Sequence, residues 1–423
     1  MPQSQIACIT LLCVLFSAGA GAQTHDYQVT TDDQAFALMP ELRAAPAPSW
    51  VKPGMRILYH QMSASVPMGR TTMVEDQDGK WVNKTTGQRF NEEENPGTGG
   101  QGYLQVDIVA TPPDAVVSDC RSFLIHALPA EQASITSTNG YVHTPGVLAE
   151  VYANPDVKRK YSDLNGNGIS SHRMPYKAAG KTFDAVWQQS ITDGGSITYV
   201  FGIDSGLILH SASCSVTAAT NFTVNGVSQT SGGGTMLTQS TLVSIRQIKT
   251  PWTQGKLPPV MRDVHELDYE GAQQTWIPGG GQLPAAPVQT RMKVIGRGDD
   301  FVQMQFSGVM MIGNVRSDLG TSNVVSGPAM LTPMAIDPAD LAQLRQGQEL
   351  DRDPVTQAVT YVSFMGPDRA GHDLVTISLQ YTGGQNNFHS DCVYDRNTGL
   401  LVANSYTNPF LHQLMQLTLK GKN

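Results

Sequence analysis

The chain has 423 residues, a formal net charge of −8, 40% hydrophobic and 15% charged residues. That balance excludes a disordered chain. The absence of any Lys/Arg run excludes the clustered cations that a phosphate-backbone binder needs, so no nucleic-acid partner is expected. Forty-one Gly and 25 Pro favour many short strands joined by turns.

The first 22 residues carry no Asp, Glu, Lys or Arg. Within them Ile6 to Ala18 is an apolar run too short to span a bilayer comfortably. Ala20-Gly21-Ala22 supplies a small-x-small cleavage pattern. The segment 1–22 therefore reads as a secretory signal with Gln23 as the mature start, and the protein is expected to be exported, periplasmic or extracellular. No later stretch is long and apolar enough for a transmembrane helix. Two of the five Cys fall in the signal, leaving Cys120, Cys214 and Cys392. An odd number in an oxidising compartment allows at most one internal bridge and leaves a thiol; three pairings are possible and the sequence does not choose.

Residues 23–48 form a polar lead. A first β-rich lobe is expected over 49–249. Met55 to Met62 alternates as a strand. A strand from Thr71 turns at Asp78-Gly79 into a strand from Trp81, with a further turn at Thr86-Gly87. Asn91 to Gly102 is acidic and Gly-rich, an exposed loop. Tyr103 to Val109 and Phe123 to Leu128 are further strands, and Pro145 to Tyr161 has helical spacing. Two long hairpins follow, then a Ser/Thr/Gly run from Ser228 to Thr235 expected to be a mobile loop, and a strand from Thr238 to Ile248. Residues 250–259 contain three prolines and read as a linker. A second β-rich lobe is expected over 260–423. Its short helix has Asp337 as N-cap, Pro338 in the first turn and Gly347 as a C-terminal stop. Its last element, Leu411 to Leu419, is a strand or a short helix.

The two lobes repeat one another. Ala179 to His210 and Ala370 to Val402 both open with Ala-Gly, alternate, turn, alternate again and turn before Gly-Leu. Pro145 to Asp163 and Pro333 to Asp351 both span 18 positions. Gly100-Gln-Gly102 before Tyr103 parallels Gly296-Arg-Gly298 before Phe301, and Leu58-Tyr59 parallels Asp268-Tyr269. Internal repetition of this kind implies a duplicated unit. The expected fold is mostly β (α+β): two tandem duplicated lobes, each a curved antiparallel sheet or open barrel with one short helix. The turn Asp395-x-x-x-Gly399-Leu400-Leu401 and the single helix per lobe resemble, in architecture, the half-barrel lipid or lipoprotein carriers of the LolA/LppX type. The resemblance carries no diagnostic motif; it implies a carrier of hydrophobic ligands.

Candidate chemistry is sparse. Asp163-x-Asn165-x-Asn167-Gly168 matches the front half of a calcium loop, but position 12 is Met174 in place of a bidentate Glu, and a simple turn satisfies the same residues. Its counterpart, Asp351-Arg-Asp353, reads as the same turn. No cofactor is expected; Ca²⁺ is the one candidate ion, at the loop with Asp163, Asn165 and Asn167. The ten His contain no H-x-x-x-H or H-E-x-x-H, so zinc-helix chemistry is absent. No G-x-S-x-G elbow and no phosphate-binding Gly loop occurs. Cys120 has Arg121 beside it, but a buried strand residue accounts for both. Met304, Met310 and Met311 suit a core or an adaptable ligand lining. The reading these features favour is an exported, non-catalytic binding or carrier protein for a hydrophobic or lipid-like ligand, with an envelope protein as another possible partner. The alternatives are an enzyme whose site forms only in three dimensions, with Asp163, Asp204, Asp351, Asp353 and Asp395 as acidic candidates, and a surface-interaction protein using the loops 91–102 and 228–235.

Overall fold

The computed structural model describes residues 49–66, 72–76, 78–90, 100–113, 115–124, 130–136, 168–217, 220–224, 227–231, 234–252, 256–277, 280–382, 387–408 and 413–423. The expected signal and lead, the expected helix at Pro145–Tyr161 and the candidate calcium loop with Asp163, Asn165 and Asn167 lie outside the described residues.

In chain order the first sheet comprises β1 (Met55–Val66), β4 (Gly100–Ala110), β5 (Val116–Leu124), β6 (Ala130–Thr136), β7 (Gly168–Ala178), β8 (Lys181–Thr192), β9 (Gly195–Gly202), β10 (Ile208–Thr217) and β13 (Gly234–Gln247). Two small hairpins are added: β2 (Met73–Glu75) with β3 (Trp81–Asn83), and β11 (Thr220–Val224) with β12 (Val227–Ser231). A short helix α1 (Pro259–Asp263) leads into the second sheet. That sheet runs β14 (Glu266–Thr275), β15 (Ala286–Arg297), β16 (Val302–Ile312), β17 (Val315–Ser326), then helix α2 (Pro338–Leu341), β18 (Glu349–Arg352), β19 (Val359–Pro367), β20 (Asp373–Tyr381), β21 (Phe388–Asp395), β22 (Leu401–Asn408) and β23 (Gln413–Lys422).

Both sheets are antiparallel and open, and they share one plan. The order is β6-β5-β4-β1-β13-β10-β9-β8-β7 in the first and β17-β16-β15-β14-β23-β22-β21-β20-β19-β18 in the second. In each, the first strand pairs with the last, and the edges are the fourth strand and the strand that follows it in sequence. All three register breaks of the first sheet recur in the second. The break at Leu58/Tyr59 matches Asp268/Tyr269, that at Ile108/Ala110 matches Val294/Gly296, and that at Ile208/His210 matches the one where Tyr394 faces Leu401. A bulge inserts one residue and re-aims the strand, so matching bulges bend the two sheets at the same places. They also place the same buried bond. Tyr59 donates its hydroxyl to the Ile208 carbonyl and Tyr269 to the Leu401 carbonyl, both at 2.9 Å. Each ring fills its sheet's interior, and each hydroxyl satisfies a carbonyl at the bulged start of the next-to-last strand.

The correspondence corrects one parallel drawn from the sequence. Tyr103 pairs with His60 and Gln289 with Glu270, so Tyr103 is matched by Gln289, one strand earlier than Phe301. Gly296 lies near the end of β15 and Gly298 just beyond it, whereas Gly100 and Gly102 are paired residues at the start of β4; the Gly-x-Gly at Gly296 adjoins a turn and the one at Gly100 lies within a strand. Other expectations shift as well. The third strand of the first sheet starts at Val116, not Phe123. Ser228 to Thr235 is not a loop throughout: β12 runs to Ser231 and β13 starts at Gly234. The signal was the Asn225-Gly226 dipeptide between two Val-containing runs, a hairpin cue. The chain end is a strand, β23, because its partners β14 and β22 supply both ladders. In α2 the Asp337 side chain accepts from the Ala339 amide as expected of an N-cap.

The cores are continuous across the pairing of first and last strands. Ile57, Tyr59, Val106, Ile108, Trp187, Phe201, Leu209 and Leu242 fill the first. Leu267, Tyr269, Val288, Met304 and Leu417 fill the second, and Met310 packs against them, which gives Met304 and Met310 a core role. A further cluster crosses between the sheets: Val109, Ala110, Ala115 and Val117 pack on Phe301, Val325 and Met330.

Two predictions follow from this layout. Gly206 and Gly399 close equivalent turns with φ +66° and +76°, a region costly for residues with a Cβ. Gly206→Val and Gly399→Val should each destabilise the protein by about 1–3 kcal/mol in urea unfolding. Gly399 should be the worse, because a Cβ there would sit 1.9 Å from the Ile336 carbonyl oxygen. The second concerns alkali. Burial raises the hydroxyls of Tyr59, Tyr269 and Tyr394 above the ordinary value of 10.0, and Tyr176 to about 12. A raised folded-state value contributes stability that is whole below pH 10 and is lost as pH rises through the folded value. Phenolate absorbance of these tyrosines should therefore appear above pH 10 together with loss of the β-sheet circular dichroism. Full tyrosine ionisation with an intact spectrum would contradict the burial.

Candidate functional site

Three arrangements of polar side chains stand out. The first is a charged row across the first sheet. Arg246 faces Arg56 across β13–β1, Arg56 faces Asp107 across β1–β4, and Asp107 faces Asp119 across β4–β5. Arg56 grips Asp107 with two bonds of 2.7 and 2.8 Å, and Gln105 adds a third to Asp107 at 2.9 Å. Arg121 holds Asp119 at 2.9 Å. Two arginines directly opposite on neighbouring strands repel. The second sheet supplies what offsets this. Asp351 takes two bonds from Arg246 at 2.7 and 2.6 Å, Asp353 takes one at 3.1 Å, and Asp351 lies 3.6 Å from Arg56.

Burial alone would lower the Arg246 guanidinium, but the bonds and charges of Asp351 and Asp353 outweigh it and hold it above its usual value. Burial pushes the Asp353 carboxyl up; the Thr356 and Val355 amides with the charges of Arg246 and Arg56 hold it below the carboxylate range. Asp353 therefore does two things. It closes the turn before β19, as a simple turn residue would, and it faces the arginines of the other sheet. A cavity of about 30 Å³ lies beside this network, between Arg56, Arg121, Asp351, Thr360 and Tyr381. It has room for about one water.

The second arrangement lies under the β2–β3 hairpin. His210 Nε2 is 2.8 Å from Glu75 Oε1, and His210 Nδ1 is 2.8 Å from Thr241 Oγ1. Gln239 donates to Glu75 at 2.6 Å, and Gln189 donates to the Glu75 carbonyl at 2.7 Å. Burial first, and then the charge of Glu75, raises Tyr176 to about 12, and its ring lies 6.1 Å from that of His210. Carboxylate, imidazole and hydroxyl in line invite comparison with a nucleophile relay. The surroundings point to a fastening. His210 and Glu75 are buried, and Ser196 and Gln189 bond to the hairpin backbone. Met73 and Trp81 pack on Ala212, Cys214 and Leu237 beside them. The cluster pins β2–β3 to the sheet. Among the described residues it has no counterpart in the second sheet, where Ala403 stands in the place of His210.

The third is a pocket of about 210 Å³ at the end of the first sheet where the β8–β9 turn, the end of β10 and the start of β13 meet. Ile197, Tyr199 and Met236 give it apolar walls; Ser190, Ser211, Ser213 and Thr238 give it hydroxyls. Ser213 and Thr238 are hydrogen-bonded at 2.6 Å. None of the fourteen lining residues is Asp, Glu, Lys, Arg or His. The residues from Ser205 to Ile245 contain no Asp, Glu, Lys or Arg at all, which is the sequence signal for this uncharged region.

The residues singled out in the sequence meet varied fates. Cys120, Cys214 and Cys392 are buried and form no disulfide. Cys214 accepts from the Met73 amide at 3.3 Å, and burial raises its thiol. His389 pairs with Asp391 at 2.9 Å in the second sheet. Asp391 accepts from Ser378 and Ser405 as well, so a carboxylate stands at the centre of that cluster where a relay needs an imidazole. Asp395 caps the amides of its own turn. Among the described acidic candidates, Asp351 and Asp353 are brought together; Asp163 lies outside the described residues. Among the described residues no group of three or more His, Cys, Asp and Glu could hold a metal ion, and no described helix is long and apolar enough to cross a membrane.

No family model and no curated protein matches the chain. Among solved structures, a protein of Nitrosomonas europaea provisionally named AttH is similar at 12% identity, over 88% of this chain and 99% of that one, with a TM-score of 0.12. At that score the likeness supports no inference about function.

The charged row makes a testable claim. Arg56→Met leaves Asp107 without its main cation and should cost about 3–5 kcal/mol in urea unfolding, whereas Arg56→Met with Asp107→Leu should recover most of the loss. Asp353 adds a pH arm: its lowered carboxyl contributes stability that is whole above the ordinary value of 3.8 and is lost as pH falls through the folded value. Asp353→Asn should therefore flatten the acid limb of stability against pH.

Proposed function

We propose that this protein is a non-catalytic binding or carrier protein for an uncharged, largely apolar ligand, exported to the cell envelope. The observation that carries this reading is the 210 Å³ pocket in the first sheet, whose lining holds no acid, base or imidazole. Ligand sites are concave, mostly apolar, and carry a few polar groups that fix orientation. Ile197, Tyr199 and Met236 supply the apolar wall, and the Ser213–Thr238 pair supplies an orienting donor and acceptor. A charged ligand would lose its hydration there without gaining a partner. The size suits a small molecule or one end of a longer chain, being below the usual range for drug-sized ligands. Reduced catalytic prospects fit the same reading: His210 and Glu75 are occupied in holding the β2–β3 hairpin. The apolar segment 1–22 favours export, and the architecture-level resemblance to half-barrel carriers is in keeping with it.

Solvent extraction of the purified protein followed by mass spectrometry should release an uncharged, apolar molecule in stoichiometric amount. Ser213→Phe fills the pocket and should abolish its retention. Thr238→Val keeps the shape, removes one hydroxyl and should weaken binding by about 1 kcal/mol, roughly fivefold. A clean blank from wild-type protein taken from native envelope material, or equal retention by Ser213→Phe, would remove this reading.

A further inference from the structure

The shared register breaks match the two sheets residue by residue around the uncharged pocket. In the first sheet Thr192 pairs with Gly195, and Ser213 pairs with Ile197 and Thr238. In the second, Tyr381 pairs with Phe388, and Tyr406 pairs with Ser390 and Met415. Counted from the matching breaks, Tyr381 stands in the place of Thr192, Phe388 in that of Gly195 and Tyr406 in that of Ser213. These three rings form a stack. Tyr381 lies on Phe388 at 5.4 Å and Phe388 on Tyr406 at 6.0 Å, with interplanar angles of 30° and 27°. Tyr381 and Phe388 are buried. Where the second sheet has this stack, the first has its cavity of about 210 Å³. The backbone holds that cavity open. A Cβ at Gly195 would lie 1.9 Å from the Cys214 carbonyl oxygen, so no side chain can take the central place.

We propose that the ligand of this pocket carries an uncharged, hydroxylated aromatic ring, which completes in the first sheet the stack that the second builds from its own side chains. The proposal rests on the pocket reading above and narrows it from apolar molecules in general to phenol-like rings. Three features favour a ring over an acyl chain. The first is the second sheet itself, where the same strand plan packs rings, two of them phenols, at this place. The second is Tyr199, which lines the pocket and stacks on Phe201 at 5.6 Å and 27°. A ligand ring against Tyr199 extends that stack, and aromatic pairs contribute beyond the area they bury. A rigid ring also loses less internal freedom on entering than a chain does. The third is the polar part of the lining. Ser190, Ser211, Ser213 and Thr238 offer hydroxyls that both donate and accept, which suits a phenolic hydroxyl. A carboxylate or ammonium would find no opposite charge among the lining residues.

The test is calorimetric titration of the purified protein at neutral pH with para-cresol, n-heptanol and benzoate, which have equal numbers of carbon atoms. Para-cresol is the tyrosine side chain without its backbone. It should bind in one copy and at least about fivefold more tightly than n-heptanol, although heptanol is the more apolar. Benzoate, ionised at this pH, should bind at least about tenfold more weakly than para-cresol. Ser213→Tyr places in the first sheet the ring that the second already carries; it should keep the circular dichroism and abolish para-cresol binding. Tyr199→Leu removes the stacking partner but keeps an apolar wall. It should weaken para-cresol about fivefold and leave n-heptanol unchanged. Binding of n-heptanol as tight as that of para-cresol, and lost in Ser213→Tyr, would overturn the ring and leave the pocket a site for apolar chains. Equal loss of both probes in Tyr199→Leu would overturn the ring as well. Binding of none of the three, or para-cresol binding untouched by Ser213→Tyr, would overturn the ring and the pocket reading together.

Discussion

Two arginines facing each other on neighbouring strands are the feature on which the arrangement of this molecule depends. Arg56 and Arg246 would repel in an isolated first sheet, and they are largely shielded from water that could screen them. The carboxylates of Asp107, Asp351 and Asp353 make the pair tolerable, and two of those three come from the other sheet. The charges therefore specify which surface of the first sheet meets which edge of the second. The apolar cluster of Val109, Val117, Phe301 and Val325 contributes adhesion in the same contact. Apolar packing alone leaves register loose; bidentate pairs fix it.

The same logic separates what was legible in the sequence from what was not. Local chemistry could be read. The Asp337 cap, the turns at Gly79 and Gly87, the strand at Met55 and the repeated turn before Gly-Leu each follow from a few adjacent residues. The mostly-β class and the open antiparallel sheets followed from alternating runs between turns. Tyr59 and Tyr269, and Gly206 and Gly399, could be picked out because buried rings and left-handed turns tolerate few residue types. The pairing of Gly102 with Gly298 failed because Gly-x-Gly occurs within a strand at β4 and at a strand end at β15, and two glycines do not tell these apart.

The side-chain clusters were hidden for a different reason. Glu75 and His210 are 135 positions apart, and Arg246 and Asp351 are 105 apart. Nothing local distinguishes them from solvated charges. His210 looked like any strand histidine, since the hairpin that supplies Glu75 lies between β1 and β4 and has no equivalent among the described residues of the second sheet. Asp351 and Asp353 were read as turn residues; Asp353 is one, and its second role needs the other sheet in place. The uncharged pocket left a mark in composition alone, the charge-free run from Ser205 to Ile245.

The pairing of first strand with last has a consequence for synthesis. Met55 meets Gln247 across nearly the whole length of the first half of the chain. Contacts so distant in sequence are slow to form, and here they form the middle of a sheet, not its margin. While the chain emerges in order, β1 can pair with β4 but must wait for β13, and one side of its backbone stays open until about residue 247 has been made. The second half repeats the delay with β14 and β23. Each sheet is thus completed at its centre last, and the nascent protein passes twice through a state in which its most buried strand is its most vulnerable edge.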